Sequence, residues 1–352
     1  MQTTMDHWTQ LLASTDLHLD GTVVCSAKPS VDVVRARDGD VMVPMTHLGL
    51  IDAVGDDATV FLHNLFSNDV KKLGPDAAHW TSFNSPKGRM LASMLLWHDE
   101  AGYRLALSAD LHPALLKKLS MYVLRSKVKL SDGRAQRALI GLSSAMLSDR
   151  LGTAKLPVPA APMRTASRDG VTVIRLDARR ALIDAPVDRL GDVWGALGAA
   201  GVVPAATQAW QWLDVQAGIP VITELTQDDF VAQMLNYELI GGVNFQKGCY
   251  PGQEIVARTQ YLGKLKKRMY RLTAPASATP SIGDELYAPA FESQAVGKLV
   301  TVVPSPNGGF EALAVMQMQA AEGGEIHLGA VDGPKLRLAT LPYALDVAQR
   351  DA

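Results

Sequence analysis

Residues 246–258 read QKGCYPGQEIVAR, and this stretch is the most informative in the chain. Two glycines and a proline surround a single cysteine, Cys249, which predicts a turn rather than the interior of a helix or strand. From Gln253 onward the residues suit a helix that ends near Gly263, since glycine is the usual residue just past a helix C-terminus. The pattern therefore predicts a cysteine-bearing loop directly before a helix.

The predicted loop favours a reactive thiol at Cys249. A helix N-terminus stabilises a nearby anion, Lys247 is two residues away, and Arg258 could fold back from the helix. A thiol in such a setting has a lowered pKa and reacts readily, while Glu254 suits the first helical turn. The alternative is that Cys249 is a small buried hydrophobe. The glycine-rich, charged flanks favour exposure.

Beyond residue 263 the pattern changes to short apolar stretches separated by turns rich in Gly, Pro, Asn and Asp. Six candidate strands at this spacing predict a small antiparallel barrel. They are residues 268–272, 285–287, 295–303, 310–318, 325–328 and 335–341.

The residues before the barrel mix predicted helices and strands without a regular βαβ alternation, which predicts an α+β fold. We expect a helix capped by Asp56 and Asp57 and another over 205–217 that stops at Gly218. The expected domains are 1–263, made of two α+β subdomains connected near the Ala/Pro-rich stretch 154–162, and 264–352.

Composition narrows the function. The chain has 352 residues, 47% apolar and 20% charged, and a net charge of −2, which argues against direct, backbone-driven nucleic-acid binding. No segment has the roughly 18 apolar residues of a membrane span, and the N-terminus has no secretory pattern. Two distant cysteines, Cys25 and Cys249, suit neither a disulfide scaffold nor a complete zinc or iron–sulfur site. We predict a cytoplasmic protein without a metal of its own.

Residues 247–254 (KGCYPGQE) resemble the K-G-C-Y-x-G-Q-E signature of the YgfZ family, relatives of the glycine-cleavage T-protein, an aminomethyltransferase. Three more segments support the resemblance. Residues 84–90 (NSPKGRM) are similar to the family's lysine-glycine-arginine turn, residues 57–70 to its first helix and following turn, and residues 217–220 (AGIP) to its alanine-glycine-isoleucine-proline step.

The resemblance implies a T-protein-like fold, in which intertwined α+β subdomains surround a central hole and a C-terminal antiparallel β-barrel follows. It implies binding of tetrahydrofolate or a derivative, and support for iron–sulfur client enzymes, including methylthiolases that modify tRNA. It makes Cys249 the central functional residue. It assigns the cofactor to Lys247, Gly248, Tyr250, Gly252, Gln253, Glu254, Arg258, Gln216, Asn84, Lys87 and Arg89.

Two departures from the T-protein pattern bear on activity. Where that pattern has paired aspartates after the glycine turn, this chain has Ala92 and Ser93, which supply no carboxylate for activating a folate nitrogen. The glutamate before the alanine-glycine step is replaced by Gln216, which loses a charge-assisted hydrogen bond. A folate-dependent aminomethyltransferase or one-carbon transferase remains the enzyme alternative, and a scaffold with a vestigial pocket is the third reading.

Overall fold

The computed structural model describes residues 2–263 and 265–345. Its helices are α1 (Gln2–Leu12), α2 (Pro29–Asp38), α3 (Ala58–Leu65), α4 (His112–Tyr122), α5 (Leu147–Thr153), α6 (Leu190–Ala199), α7 (Thr207–Ala217), α8 (Gln253–Tyr261) and α9 (Met318–Gly323). Short 3₁₀ turns lie at Val70–Lys72, Gly133–Ala135, Val187–Arg189, Glu224–Thr226, Ala232–Leu235 and Pro289–Phe291.

The strands before the barrel are β1 (Leu17–Asp20), β2 (Val23–Ser26), β3 (Val41–Pro44), β4 (Leu48–Val54), β5 (Ala78–Asn84), β6 (Met90–Asp99), β7 (Gly102–Ser108), β8 (Lys129–Asp132), β9 (Arg137–Ser143), β10 (Thr165–Arg168), β11 (Val171–Arg175), β12 (Arg180–Pro186) and β13 (Val203–Pro204). The strands of the barrel are β14 (Lys267–Ala274), β15 (Glu285–Tyr287), β16 (Gly297–Pro304), β17 (Phe310–Gln317), β18 (Ile326–Leu328) and β19 (Lys335–Ala339).

Two large sheets and the β1–β2 hairpin form the part before the barrel, and the chain passes back and forth between the two large sheets. One sheet has the order β10-β11-β12-β9-β3-β13, and the other has the order β5-β6-β7-β4-β8. The chain changes sheet between β3 and β4 and again between β8 and β9. Residues 154–162 are an irregular connection between α5 and β10. The predicted α+β class and its intertwined layers are confirmed.

Buried ion pairs join the two sheets. The Nε atom of Arg104, on β7, lies 3.5 Å from Asp184 Oδ2 on β12 and 3.5 Å from Asp52 Oδ1 on β4. Arg137 completes the network with an Nε–Oδ1 distance of 2.6 Å to Asp184. Because Asp184 is fully buried, removing one of its partners would leave a charge uncompensated in the interior.

The six C-terminal strands close into a barrel in the order β14-β17-β16-β15-β18-β19, as the turn spacing predicted. A buried carboxylate, Glu311 on β17, fastens the barrel to α7. Trp212 Nε1 and Gln216 Nε2 donate to its two oxygens at 3.0 and 2.7 Å, and Arg271 Nη2 donates at 2.8 Å. Burial alone would raise the pKa of Glu311, but these hydrogen bonds and the Arg271 charge hold it below its ordinary value.

The helix ends follow the predicted chemistry with one difference. Helix α7 ends at Gly218, whose φ of +63° is the left-handed cap that glycine adopts readily. Helix α3 begins after Asp57, but the Asp57 carboxylate accepts from the backbone N–H of Lys127 at 2.8 Å instead of capping the helix. The prediction that Asp57 caps α3 was therefore wrong. The turn that contains Lys127 packs beside Asp57 and offers its carboxylate a different backbone donor.

Strand β14 begins three residues after the undescribed residue 264, and we propose residue 263 as the domain boundary. Among the helices within residues 2–263 and 265–345, none is both long enough and apolar enough to cross a membrane.

Candidate functional site: the Cys249 loop

The cysteine loop, residues 244–252, is irregular and leads directly into α8. Gly252 holds the position before the helix with φ at +76°. A Cβ at that position would lie 2.4 Å from the carbonyl oxygen of Ser85, so the site accepts only glycine without a shift of backbone. Gly88, at φ +72°, lies on the other side of the same contact and has no room for a Cβ beside Ile255. Two glycines thus bring the 84–90 turn against the cysteine loop.

Cys249 is exposed on this loop, and the glycine before it is exposed as well. The interpretation of Cys249 as a small buried hydrophobe is therefore excluded. The other cysteine, Cys25, is half-buried at the edge of the β1–β2 hairpin.

The buried side chain of Lys247 attaches the loop to the C-terminal end of α3. That side chain is only 6% exposed, and its Nζ donates to the carbonyl oxygens of His63 and Phe66 at the C-terminal end of α3. The same Nζ lies 4.7 Å from the ring centroid of Tyr250. A cation is favourable at a helix C-terminus and over an aromatic face. The lysine expected to act on the thiol is instead used to hold the loop in place.

Burial lowers the pKa of Lys247 to about 8, with the neighbouring Lys71 acting in the same direction and Asp69 opposing it. Tyr250 is buried beside it, and burial raises the pKa of its hydroxyl.

A polar cluster that the sequence did not predict surrounds this anchor. His63 Nδ1 lies 3.1 Å from Asp69 Oδ1, and both side chains are buried. The pKa of His63 is lowered, first by burial and then by the Lys247 charge, and burial lowers the pKa of His79 to about 4. These histidines are therefore neutral at pH 7. His63 and Asp69 both lie in the segment 57–70, but their spacing matches no metal-binding motif, so the sequence provided no reason to pair them.

The residues just before the loop are held by the turn after α3. Ser67 Oγ donates to Gly242 O at 2.7 Å, and Asn68 Nδ2 donates to Gly241 O at 2.7 Å. Within residues 4–263 and 265–345, no cluster of three His, Cys, Asp or Glu side chains could hold a metal ion.

Of the other predicted site residues in and after the loop, one is half-buried and two are exposed to solvent. Gln253 is half-buried, and its Nε2 donates to the Lys247 carbonyl at 3.4 Å. Its backbone N–H donates to Tyr250 O at 3.1 Å. Glu254 and Arg258 are exposed on α8.

The 84–90 turn also contributes its predicted residues in different ways. Asn84 is 1% exposed, and its Oδ1 accepts from Ser82 Oγ at 2.9 Å. Its Nδ2 is buried without a hydrogen-bond partner among the described residues, as is Ser85 Oγ. Lys87 is exposed. Arg89 is exposed but tied down, because its Nη1 donates to the Asp229 carbonyl at 2.5 Å.

Gln216 does not join this group of residues. Its amide belongs to the junction with the barrel, where Glu311 places a carboxylate beside the glutamine. Ser93 lies near the alanine-glycine-isoleucine-proline step, since its Oγ accepts from the Ile222 N–H at 2.9 Å. The sequence did not predict Glu311; its one hint is a single acidic residue inside an apolar strand.

Two surface cavities, of about 170 and 420 Å³, lie away from these residues. The smaller is lined by Lys155, Arg168 and Arg189 among others, and the larger by His7 and Asp188 among others. Neither contains a predicted site residue. In the smaller one, Arg168 donates to the Lys155 carbonyl and Arg189 to Asp192, so these cations are already engaged.

The chain has a T-protein-like fold. The structure of the glycine cleavage system aminomethyltransferase T from Bartonella henselae superposes with a TM-score of 0.80, at 15% identity, over 96% of this chain and 97% of that one. The comparison shows the shared fold, including the closed barrel at the C-terminal end.

Sequence comparison then points to particular relatives. The tRNA-modifying protein YgfZ is 26% identical over 317 residues in Pectobacterium carotovorum and 27% identical over 323 residues in Klebsiella pneumoniae. These matches cover 89% of this chain and 94% and 98% of the relatives. The Escherichia coli protein of the same name is also 27% identical, over 89% of this chain and 97% of its own length. No model of a protein family matches. The matches confirm the resemblance to YgfZ that the octet indicated.

Proposed function

We propose that this chain is a folate-binding protein that supports the assembly or repair of iron–sulfur clusters in client enzymes, including methylthiolases that modify tRNA, through the thiol of Cys249. The observation that carries the proposal is the placement of Cys249. Its loop is anchored by a buried lysine and two tightly packed glycines, yet the thiol itself is exposed.

An exposed thiol on a fixed loop suits transient contact with a cluster held by another protein. The thiolate is the form that binds iron or attacks sulfur. One thiol supplies a single ligand, whereas a cluster usually takes four, so the other ligands would come from the client. The cluster is then cargo rather than a resident group. The names of the relatives, which refer to tRNA modification, agree with such clients.

Folate enters the proposal through the turn that packs against the loop. The buried Asn84 Nδ2 and Ser85 Oγ have no partner among the described residues and could serve polar atoms of the pterin. The exposed ammonium of Lys87 suits the carboxylates of a glutamate tail. Bound folate would supply one-carbon chemistry, and these residues would orient it.

The aminomethyltransferase alternative has the fold in its favour, but the positions where a T-protein has acidic residues carry none here. Ser93 carries no carboxylate, and its hydroxyl oxygen accepts the Ile222 N–H. Gln216, the other position where a T-protein has an acid, donates to Glu311. We therefore assign the chain an assembly role in the cytoplasm, with client enzymes rather than nucleic acid as direct partners.

The proposal is tested by replacing Cys249 in a strain that lacks its own YgfZ. Cys249→Ala should abolish rescue of tRNA methylthiolation, measured by mass spectrometry of tRNA digests, while thermal unfolding stays unchanged because the side chain is exposed. Cys25→Ala is the matched control and should retain rescue. Rescue by Cys249→Ala at the wild-type level would refute the role of the thiol. Calorimetric titration with reduced folates should show weak binding, and a flat titration would remove folate from the proposal.

A further inference from the structure

Large apolar side chains are exposed at the C-terminal ends of two helices, α4 and α8. At the end of α4, Met121 is 64% exposed and Leu124 is 88% exposed. At the end of α8, Tyr261 is 64% exposed and Leu262 is 84% exposed. Leu124 also has a φ of +43°, a conformation that costs energy for a bulky residue. Exposed apolar clusters of this kind mark interaction sites in folded proteins.

Aromatic contacts connect the α4 cluster to the strand that leads into the 84–90 turn and the α8 cluster to the cysteine loop. Tyr122 packs edge-on against Phe83, with ring centroids 6.2 Å apart, and Phe83 directly precedes the 84–90 turn. On the other side, Tyr261 packs edge-on against Phe245 at 6.1 Å, and Phe245 is two residues before Lys247. We define Met121, Tyr122, Leu124, Tyr261 and Leu262, together with the exposed part of the cysteine loop, as the loop face.

The α4 side of the loop face has an excess of positive charge, although the whole chain has a net charge of −2 and one of these cations, Lys127, pairs with Asp56. Residues 111–130 contain five lysines and arginines and no acidic residue. Residues 83–90 contain one lysine, one arginine and no acidic residue. Lys117 and Arg125 are exposed, and the Lys118 ammonium lies 5.7 Å from the ring centroid of Phe83. Such local charge steers an oppositely charged partner toward the face.

We propose that the loop face docks an acidic protein surface with an apolar centre, so that a client enzyme brings its cluster to Cys249. The inference rests on the proposed function, because it names the surface by which a client would reach that thiol. Exposed methionine and leucine side chains favour a protein over a nucleic acid, since protein interfaces bury apolar anchors within a polar rim. Interfaces with nucleic acid are more polar and depend mainly on phosphate contacts.

The test uses the full chain and a fluorescent amphipathic helix with leucine on one face and glutamate on the other. Fluorescence anisotropy should show binding that weakens with salt, and bulk tRNA should compete poorly. Leu124→Ser combined with Leu262→Ser should weaken peptide binding about tenfold, the effect of losing an interface anchor. Lys117→Glu combined with Arg125→Glu should do the same. Met146→Ser, at an exposed apolar position directly before α5, is the control and should bind like the wild type.

The same variants separate this inference from the proposed function in the methylthiolation assay. The Leu124→Ser, Leu262→Ser variant should lower tRNA methylthiolation, while its Cys249 reacts with an aromatic disulfide reagent at the wild-type rate. If this variant keeps full rescue and full peptide binding while Cys249→Ala fails, the docking surface is wrong and the thiol function stands. If Cys249→Ala rescues, the function is wrong whatever the peptide does. Tighter binding of tRNA than of the acidic peptide would overturn the protein partner.

Discussion

The Cys249 loop and the Glu311 junction each contain a buried charged side chain, but only the loop also exposes a reactive side chain to solvent. At the junction, the two carboxylate oxygens of Glu311 accept from Trp212, Gln216 and Arg271, and the carboxylate is buried between α7 and the barrel. At the loop, Lys247 is held as closely by carbonyl oxygens and a ring. The thiol two residues away nevertheless remains exposed.

The difference distinguishes a structural site from a candidate functional one. A buried charge whose hydrogen bonds all go to protein groups stabilises an interface and has nothing left to offer a ligand. A buried charge that fixes the backbone of a loop, while a reactive side chain points to solvent, provides the rigid support that a functional site needs. Gln216 belongs to the first kind of site, although the sequence placed it with the second.

The comparison predicts the largest loss of stability at the junction. Glu311→Ala leaves Arg271 without its partner and removes the acceptors of Trp212 and Gln216, which should cost about 4 kcal/mol in the free energy of unfolding. Denaturant unfolding followed by tryptophan fluorescence measures the loss. Glu325→Ala, which removes an exposed partner of Lys335, is the control and should change stability little. A Glu311→Ala protein as stable as the wild type would mean that the barrel is held by apolar contacts alone.

The glycine contact beneath the loop should come second. Gly252→Ala forces a side chain into the left-handed region and toward the Ser85 carbonyl, and should cost about 3 kcal/mol. Gly241 has the same φ of +76° but open space around it, so Gly241→Ala should cost only about 1 kcal/mol for the backbone conformation. Equal losses in the two variants would show that the loop does not press on the 84–90 turn.

The lysine anchor should come third. Lys247→Met removes the donor to the carbonyls of His63 and Phe66, and should cost about 2 kcal/mol because those acceptors are left buried. The loosened loop should also change the rate at which Cys249 reacts with a disulfide reagent. Lys87→Met, at an exposed position on the adjacent turn, is the comparison variant and should alter neither quantity. An unchanged thiol reaction rate in Lys247→Met would remove the lysine from the positioning of the site.

The smallest effect expected is a pH dependence from His79. Burial lowers its pKa to about 4 in the folded chain, against an ordinary value near 6.5. As the pH falls below about 6.5, the unfolded chain gains a proton that the folded chain does not, so stability is present above that pH and decreases toward pH 4. Between pH 7 and 5.5 the loss should be about 1 kcal/mol. His79→Gln should flatten this part of the stability curve. If His79→Gln leaves the pH dependence of stability between pH 7 and 5.5 unchanged, His79 is not its source.

Much of the local structure could be predicted because it depends on a few neighbouring residues. The glycines around Cys249 indicated a turn and a helix start, and Gly218 indicated the end of α7, since both depend on φ angles and capping. Turn residues at regular spacing indicated the six barrel strands. Exposure of Cys249 followed from the same local pattern.

The partners of the charged side chains could not be predicted from any such pattern. Lys247 bonds to carbonyls 184 and 181 residues away, and Gln216 bonds to a carboxylate 95 residues away. Local sequence limits the backbone of a segment but contains no information on which distant segment will pack against it. The sequence by itself therefore determined the turn, the helix that follows it and the strands of the barrel. Only the tertiary structure decided that Lys247 bonds to the end of α3 and that Gln216 bonds to Glu311 of the barrel. Long-range packing determines the partner of each buried polar group.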